Sequence, residues 1–358
     1  MANEDIYTFS EAFPMKGGDG IHSYTLNSNL QGNGVIAAKK LITESIAEKL
    51  DIKIFSSLNI CRIADLGCSV GPNTFFAVQN IVDAVKFKYK NLGLDSQIPE
   101  FHAFFNDHVA NDFNTLFTSL PPNREYHAAG VPGSFYSKLF PNSLLHIVNC
   151  SFSCHWLSKV PKEVIDKSSS AWNKGRIHYA NAPDAVVKAF EAQYQKDMDS
   201  FLCLRAQEIV HGGLLVIFSP SRPSGTSHSQ SAYNMLVDAL SPCLMDLVKK
   251  GVVDEKKVDS FNIPVFHFSP EELTQAVDRT GYFSIEEIKE LPLTANGTLS
   301  LEQLSLHIRA IVELSVKANF GEEILDELFD LYLKKLQELS FNFNSENSIN
   351  VFAILKRK

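Results

Sequence analysis

Two acidic residues and two glycines carry the first chemical signal in this chain. Residues 62–66 (RIADL) form a short apolar run. It breaks into a turn within ADLGCSVGPN, residues 64–73, and helical spacing follows at Phe75, Val78, Ile81, Val82 and Val85. Gly67 and Gly71 let the backbone approach a ligand closely. They stand at the strand-to-helix position where open α/β sheets bind nucleotides. A second apolar run, residues 100–105 (EFHAFF), ends in Asn106-Asp107, and an acid there can accept hydrogen bonds from two ribose hydroxyls. A dinucleotide site would need G-x-G-x-x-G to seat a pyrophosphate on a helix N-terminus. Here the spacing is G-x-x-x-G, with Asp65 two residues before the first glycine. A carboxylate there repels a pyrophosphate. It suits a ligand that carries an ammonium and a sulfonium, namely S-adenosylmethionine. Strand-to-helix turns also carry glycines for packing alone, so the pairing of Asp65 with Asp107 decides for the nucleoside.

The elements that must hold these residues alternate. After the second run come a third apolar run at 143–150 (SLLHIVNC), a long helical stretch over 184–210, and a buried strand at 214–219 (LLVIFS). Strand and helix in this rhythm predict βαβ units and a mostly parallel sheet covered on both faces. Residues 283–291 and 348–356 read as late strands, the last an antiparallel edge. Between them the stripe Ile324, Leu325, Leu328, Phe329, Tyr332, Leu336 and Leu339 predicts an amphipathic helix packed into a core. Polar joints at 220–231 and 292–300 lead out of the sheet.

Composition narrows the class. The chain has 358 residues, enough for about two domains or one elaborated domain. Its 41 acidic and 33 basic residues give a net charge of −8. That argues against nucleic acid or an anionic membrane as the main partner. It leaves room for a small anionic substrate. No run of 18 apolar residues predicts a membrane span. The acidic start, MANEDIYTFSEAF, has no apolar stretch of a secretory leader. Six cysteines are few for this length and read as reduced thiols of a cytosolic protein. Cys150 and Cys154 lie near His146 and His155 but lack a second pair, so buried thiols are favoured over zinc.

Beyond the turn, several segments resemble the plant SABATH methyltransferases, which move a methyl group from S-adenosylmethionine to small carboxylic acids or ring nitrogens. They are PMKGGDGIHSYTLNSNLQ (14–31), IADLGCSVGPN (63–73), FFNDHVANDFNTLFTSLPP (104–122), GVPGSFYSKLFP (130–141), CHWLSKVP (154–161), RAQEIVHGG (205–213) and DSFNIP (259–264). The tracts PPNRE, GRIHY and WLSKVPKE look most like the branch acting on iridoid acids such as loganic acid. The resemblance implies a class I methyltransferase: a Rossmann-like, mostly parallel seven-stranded α/β sheet with a helical cap. The cofactor-binding core then covers 35–220, 280–292 and 345–358. The cap and acceptor-binding elements cover 1–34, 221–279 and 293–344, with 155–180 contributing.

By matching position, the resemblance puts Tyr24 and Ser28 at the cofactor site and Asp65, Gly67, Cys68 and Asn73 around its methionine end. Asp107 takes the ribose, His108 lies beside the adenine, and Ser134 and Phe135 close over it. Lys16 and Gln31 reach the acceptor carboxylate, with Tyr24 nearby. Phe152, His155 and Trp156 form the acceptor wall. Asn173, Asp259, Phe261 and Asn262 match a magnesium site described in some members, though one carboxylate with amide and backbone oxygens is a thin set. A homodimer is also implied. Two positions depart from the family pattern. Phe152 stands where a tyrosine is common, which removes a hydroxyl donor, and Val70 replaces a small polar residue.

The chemistry asks little of acid–base groups. A carboxylic acid of pKa about 4 to 5 is already ionised at pH 7, so in-line displacement at the sulfonium methyl needs no general base. The protein must hold oxygen, methyl and sulfur in line and keep water out. Lys16, Gln31 and the Trp156 indole N–H are the expected donors. The cationic Lys16 favours an anionic acceptor over a xanthine-type ring nitrogen. Without the motif match, Lys16 would read as a solvated lysine, His155 as a core histidine and Trp156 as packing. A dehydrogenase and a catalytically silent binding fold are the remaining rivals.

Overall fold

A computed structural model describes residues 13–55, 59–293, 299–341 and 346–358. Seven strands form one sheet in the order β3-β2-β1-β4-β5-β7-β6. They are β1 (Ile60–Leu66), β2 (Glu100–Asp107), β3 (His127–Pro132), β4 (Leu145–Ser151), β5 (Ile209–Ser221), β6 (Phe283–Pro292) and β7 (Ile349–Arg357). The first five run parallel, and β7 is antiparallel to both β5 and β6. This bears out the mostly parallel seven-stranded expectation and places the switch in strand order between β1 and β4. The last strand, β7, lies inside the sheet instead of at the expected edge, which β6 takes.

Helices cover both faces. On one side α2 (Asn29–Lys49) and α3 (Pro72–Asn91) pack on the sheet, after the short α1 (Tyr24–Asn27). Pro72 opens α3 at a position where its missing N–H costs nothing. Phe75, Val78, Ile81, Val82 and Val85 give α3 its buried stripe. The short α4 (Phe113–Thr118) follows β2 on the same side. The other face is covered by α5 (Asp184–Glu208) and, further along the chain, α9 (Pro270–Thr280).

A third apolar core lies away from the sheet, among α6 (Ala232–Asp238), α7 (Leu240–Lys249), α8 (Glu255–Asp259), α10 (Leu301–Phe320) and α11 (Leu325–Glu338). The sequence stripe from Ile324 to Leu336 is buried there. α10 begins with a reciprocal cap between Ser300 and Gln303, a device that contributes about 1 kcal/mol. Strand β3 carries no sequence signal comparable to its neighbours. It reads HAAGVP, sits at the sheet edge and is mostly exposed.

Candidate active site

The turn after β1 is built by its glycines. Gly67 and Gly71 have φ of 77° and 100°, where L side chains are strained. A Cβ on Gly67 would lie 2.3 Å from Ser153 Cβ. The N–H groups of Gly67 and Cys68 both donate to the Asn106 carbonyl at 2.9 Å, which locks the turn against the end of β2.

Both sequence-designated carboxylates sit at these strand ends. Asp65 is buried; one oxygen accepts from Asn149 Nδ2 at 2.6 Å and the other from the Thr74 hydroxyl. Burial raises its carboxyl to about 6 against the pull of those two hydrogen bonds. Asp107 accepts from the backbone N–H groups of Ser69 and His108, each at 2.7 Å. Burial pushes it up to about 6 as well. Each Asp107 oxygen keeps a lone pair for a ligand hydroxyl.

A cavity opens beside this turn. Tyr24, Gln31, Gly67, Asp107, His108, Phe135, Phe152, His155 and Trp156 line it. An inner pocket shares Tyr24, Gln31, Gly67 and Phe152 with it and adds Asp65, Cys68 and Asn73. The structure therefore brings together most of the residues singled out from the sequence. Ser28 stands one layer behind: its hydroxyl and carbonyl hold Asn73 Nδ2 at 2.9 and 3.0 Å. Ser134 braces the neighbouring loop by accepting from Tyr136 N–H at 3.2 Å. The buried Arg205 fixes that loop through the carbonyls of Phe135 (2.7 Å) and Ser137 (2.9 Å).

Lys16 departs from its expected place. Its ammonium pairs with the buried Glu313 carboxylate on α10, which also holds Arg309 at 2.7 Å. Lys16 pins the N-terminal segment to α10 and does not line the cavity; Phe13 and Met15, just before it in the chain, do. Coulomb attraction to a buried carboxylate outcompetes an apolar cavity for an ammonium.

At the acceptor end, Phe152 adopts φ 54° and stacks edge-on against Phe218 at 5.2 Å. Its ring fills the space beside Gly34, where a Cβ would come within 2.6 Å of it. Strain of this kind gathers at ligand sites. Trp156 is held by Tyr136, whose hydroxyl donates to its carbonyl at 2.6 Å, and by a bridge to Val265. His155 is buried, and desolvation lowers its pKa to about 3, so its ring is neutral. The Gln31 Oε1 and His155 Nδ1 atoms have no partner among the described residues.

Sequence reasoning missed the far wall. Tyr233, Leu236, Val237 and Leu240 come from α6 and α7, and His307, Ile308, Ile311 and Val312 from α10. Their helical spacing was visible, but a stripe facing a cavity and a stripe facing a core look alike. Pro220 comes from the end of β5, and Ile263, Val265 and His267 come from the stretch between α8 and α9.

The four residues of the metal expectation are buried together. Asn173 Nδ2 donates to Asn262 Oδ1 at 2.7 Å, and Asp259 accepts from Gly175 N–H at 2.9 Å. Asn173 Oδ1 and Asn262 Nδ2 are buried with no partner among the described residues. A divalent cation there would take the orphaned amide oxygen and the single carboxylate, which is a thin donor set.

Comparison with known proteins agrees with this geometry. The family model described as SAM-dependent carboxyl methyltransferase matches residues 10–358. The chain is 50% identical to loganic acid O-methyltransferase of Catharanthus roseus, across 98% of this chain and 96% of that one. It is 42% identical to farnesoic acid carboxyl-O-methyltransferase of Arabidopsis thaliana, across 92% and 94%. A solved loganic acid methyltransferase with SAH superposes with a TM-score of 0.92 at 50% identity, covering 96% of this chain and 99% of that one. With the seven-stranded sheet, the acidic strand ends and the cavity beside them in place, this chain belongs to the S-adenosylmethionine-dependent carboxyl methyltransferases, the SABATH family its motifs resemble.

Proposed function

We propose that the chain transfers the methyl group of S-adenosylmethionine to the carboxylate of an iridoid or related terpenoid acid of the loganic acid type, releasing the methyl ester and S-adenosylhomocysteine. One observation carries the reading: two adjoining pockets that share Tyr24, Gln31, Gly67 and Phe152 set the two acidic strand ends, Asp107 in one and Asp65 in the other, beside a wall with the neutral donors Gln31, His155 and Trp156. The cofactor lies with its ribose on Asp107, its adenine between His108 and Phe135, and its methionine end near Asp65, Cys68 and Asn73. The acceptor carboxylate sits against Gln31, Trp156 and His155. One oxygen attacks the methyl carbon, the carbon–sulfur bond breaks, and its electron pair returns to sulfur. No proton moves.

The helices of 221–279 and 293–344, together with the segment up to residue 34, act as the cap over the acceptor. Magnesium, held by Asn173, Asp259, Phe261 and Asn262, would supply structural cross-linking between two loops, and no step of transfer passes through it. A homodimer in the cytosol is the proposed setting. Six free thiols, five of them buried, suit a reducing compartment, and no described helix is long and apolar enough to cross a membrane.

The test is transfer from labelled S-adenosylmethionine to a panel of plant acids and xanthines, followed by mild alkali. Label released as methanol from an acid product supports the ester. An alkali-stable product formed only from xanthines refutes it. Sedimentation velocity and equilibrium dialysis with magnesium check the assembly and the ion.

A further inference from the structure

We infer that His267 is a hydroxyl-reading subsite: its Nε2 accepts a hydrogen bond from a hydroxyl group of the acceptor, so the preferred acid carries a hydroxyl a few bonds from its carboxylate. This rests on the carboxyl-transfer reading above and goes on to the class of acid.

The polarity of His267 follows from its partners. The His267 backbone N–H donates to the Tyr179 hydroxyl at 3.2 Å, so that hydroxyl donates onward to Asn234 Oδ1 at 3.1 Å. Asn234 Nδ2 donates to the His228 carbonyl at 2.9 Å, which fixes which way the amide faces. The same Oδ1 lies 2.7 Å from His267 Nδ1. A carbonyl oxygen only accepts, so Nδ1 carries the hydrogen. Burial and the neighbouring His155, His178 and His228 rings hold the His267 pKa well below its ordinary value. The ring is therefore neutral and Nε2 is a lone pair.

That lone pair has no protein donor among the described residues, and His267 lines the cavity. The ring is clamped between His155 and Tyr233, with centroids 5.3 Å away on each side and planes tilted by 17° and 22°. Around it the wall is apolar: Leu236, Val237, Leu240 and Val265. An acceptor atom in such a wall costs stability unless a ligand or water meets it.

His155 has the opposite polarity. Its Nδ1 is buried without a partner, and a buried orphan N–H is rarer than an under-satisfied acceptor. The neutral ring thus keeps its proton on Nε2. Two stacked rings, with centroids 5.3 Å apart, present a donor and an acceptor side by side in the cavity wall. A carboxylate oxygen fits the first and a hydroxyl a few bonds along the acceptor skeleton fits the second. A purely packing role for the stack would show no such preference.

The full-length enzyme is assayed for kcat/KM on paired acids with and without a ring hydroxyl at that distance: loganic acid and its analogue lacking the ring hydroxyl, and 3-hydroxybenzoate with benzoate. The wild type favours the hydroxylated member of an accepted pair by about tenfold or more. His267→Phe keeps the stack and removes the nitrogen; the preference falls to within about twofold, all of it lost on the hydroxylated acid. His267→Gln returns an acceptor oxygen and recovers part of it. His307 also offers a lone pair to the cavity, since its Nδ1 bonds the Asn27 carbonyl at 2.9 Å, so the change on substituting His267 is what reads this subsite. Unchanged S-adenosylhomocysteine affinity reports an intact fold. Equal losses on both members, or no wild-type preference, overturns the inference alone. Absence of transfer to every acid overturns the carboxyl-transfer reading and the inference with it. If His267→Phe does not fold, the wild-type preference and His267→Gln still decide.

Discussion

Asp107→Asn tests the cofactor geometry most directly. The substitution keeps shape but leaves one acceptor oxygen where there were two. In the native protein both oxygens are oriented by backbone N–H groups at 2.7 Å, from Ser69 and His108. With asparagine, one of those N–H groups faces an amide NH₂, and one ribose hydroxyl loses a charged acceptor. A hydrogen bond to a charged group contributes about 1.5–3 kcal/mol. At about 1.4 kcal/mol per decade, the Kd for S-adenosylhomocysteine rises roughly 10- to 150-fold at pH 7.5, read by isothermal titration calorimetry.

The pH dependence gives a second, independent readout. Burial holds the free Asp107 carboxyl at about 6, and ribose hydroxyls bond best to the ionised form. Binding is therefore complete above pH 6 and weakens as pH falls below it. Asp65, also raised to about 6 by burial, adds a second proton-linked step through its field at the cationic methionine end. The Asp107→Asn protein loses one of the two steps, so log Kd climbs less steeply below pH 6 than in the wild type. A Kd within about threefold of wild type, or an unchanged slope below pH 6, would refute the ribose assignment.

Three further outcomes follow from named contacts. Gly34→Ala forces a Cβ to within 2.6 Å of Phe152 and 2.7 Å of Phe218; overpacking costs about 1–3 kcal/mol, seen as a lowered Tm and a raised acceptor KM. Trp156→Phe removes the indole donor and keeps most of the wall. Acceptor kcat/KM falls about tenfold, while the S-adenosylhomocysteine Kd stays put. Arg205→Ala leaves the fully buried Glu208 unpaired and frees the Phe135 and Ser137 carbonyls; chemical denaturation shows a loss of about 3–5 kcal/mol, and cofactor binding weakens with the loop.

The central strands and the cofactor end were legible because both are written locally. LLVIFS is buried on both faces and EFHAFF alternates buried with half-buried residues, so neither needs context, and Asp65, Gly67 and Asp107 are fixed by strand ends. Strand β3 was not legible, because an exposed edge strand of small residues has neither an apolar run nor alternation. The acceptor wall was legible only where a motif matched. His267 lies outside the matched motifs, and its role depends on Asn234 and Tyr179, 33 and 88 residues away in sequence. Lys16 shows the converse failure. Motif position placed it at the acceptor and its charge matched an anionic substrate, while Glu313, its partner 297 residues on, carries no local signal of that pairing.

With Lys16 outside the cavity, its charge no longer argues for an anionic acceptor, and carboxylate transfer rests on neutral donors. Among the described residues lining the cavity there is no lysine or arginine, and burial keeps His155 and His267 neutral. The only cation an acceptor carboxylate meets is then the sulfonium it attacks. In the ground state the two are opposite charges in a dry site; in the transition state those charges are disappearing. A fixed lysine would bind the starting carboxylate more strongly than the half-neutralised oxygen of the transition state, and so would raise the barrier it helped the substrate approach. Neutral donors such as Gln31, Trp156 and His155 lose much less as the charge fades, yet still aim one oxygen at the methyl carbon. Placing a cation in that wall, for example by Gln31→Lys, should therefore lower the acceptor KM and lower kcat by a larger factor. A rise in kcat in initial-rate measurements with saturating S-adenosylmethionine would show that the wall needs positive charge after all.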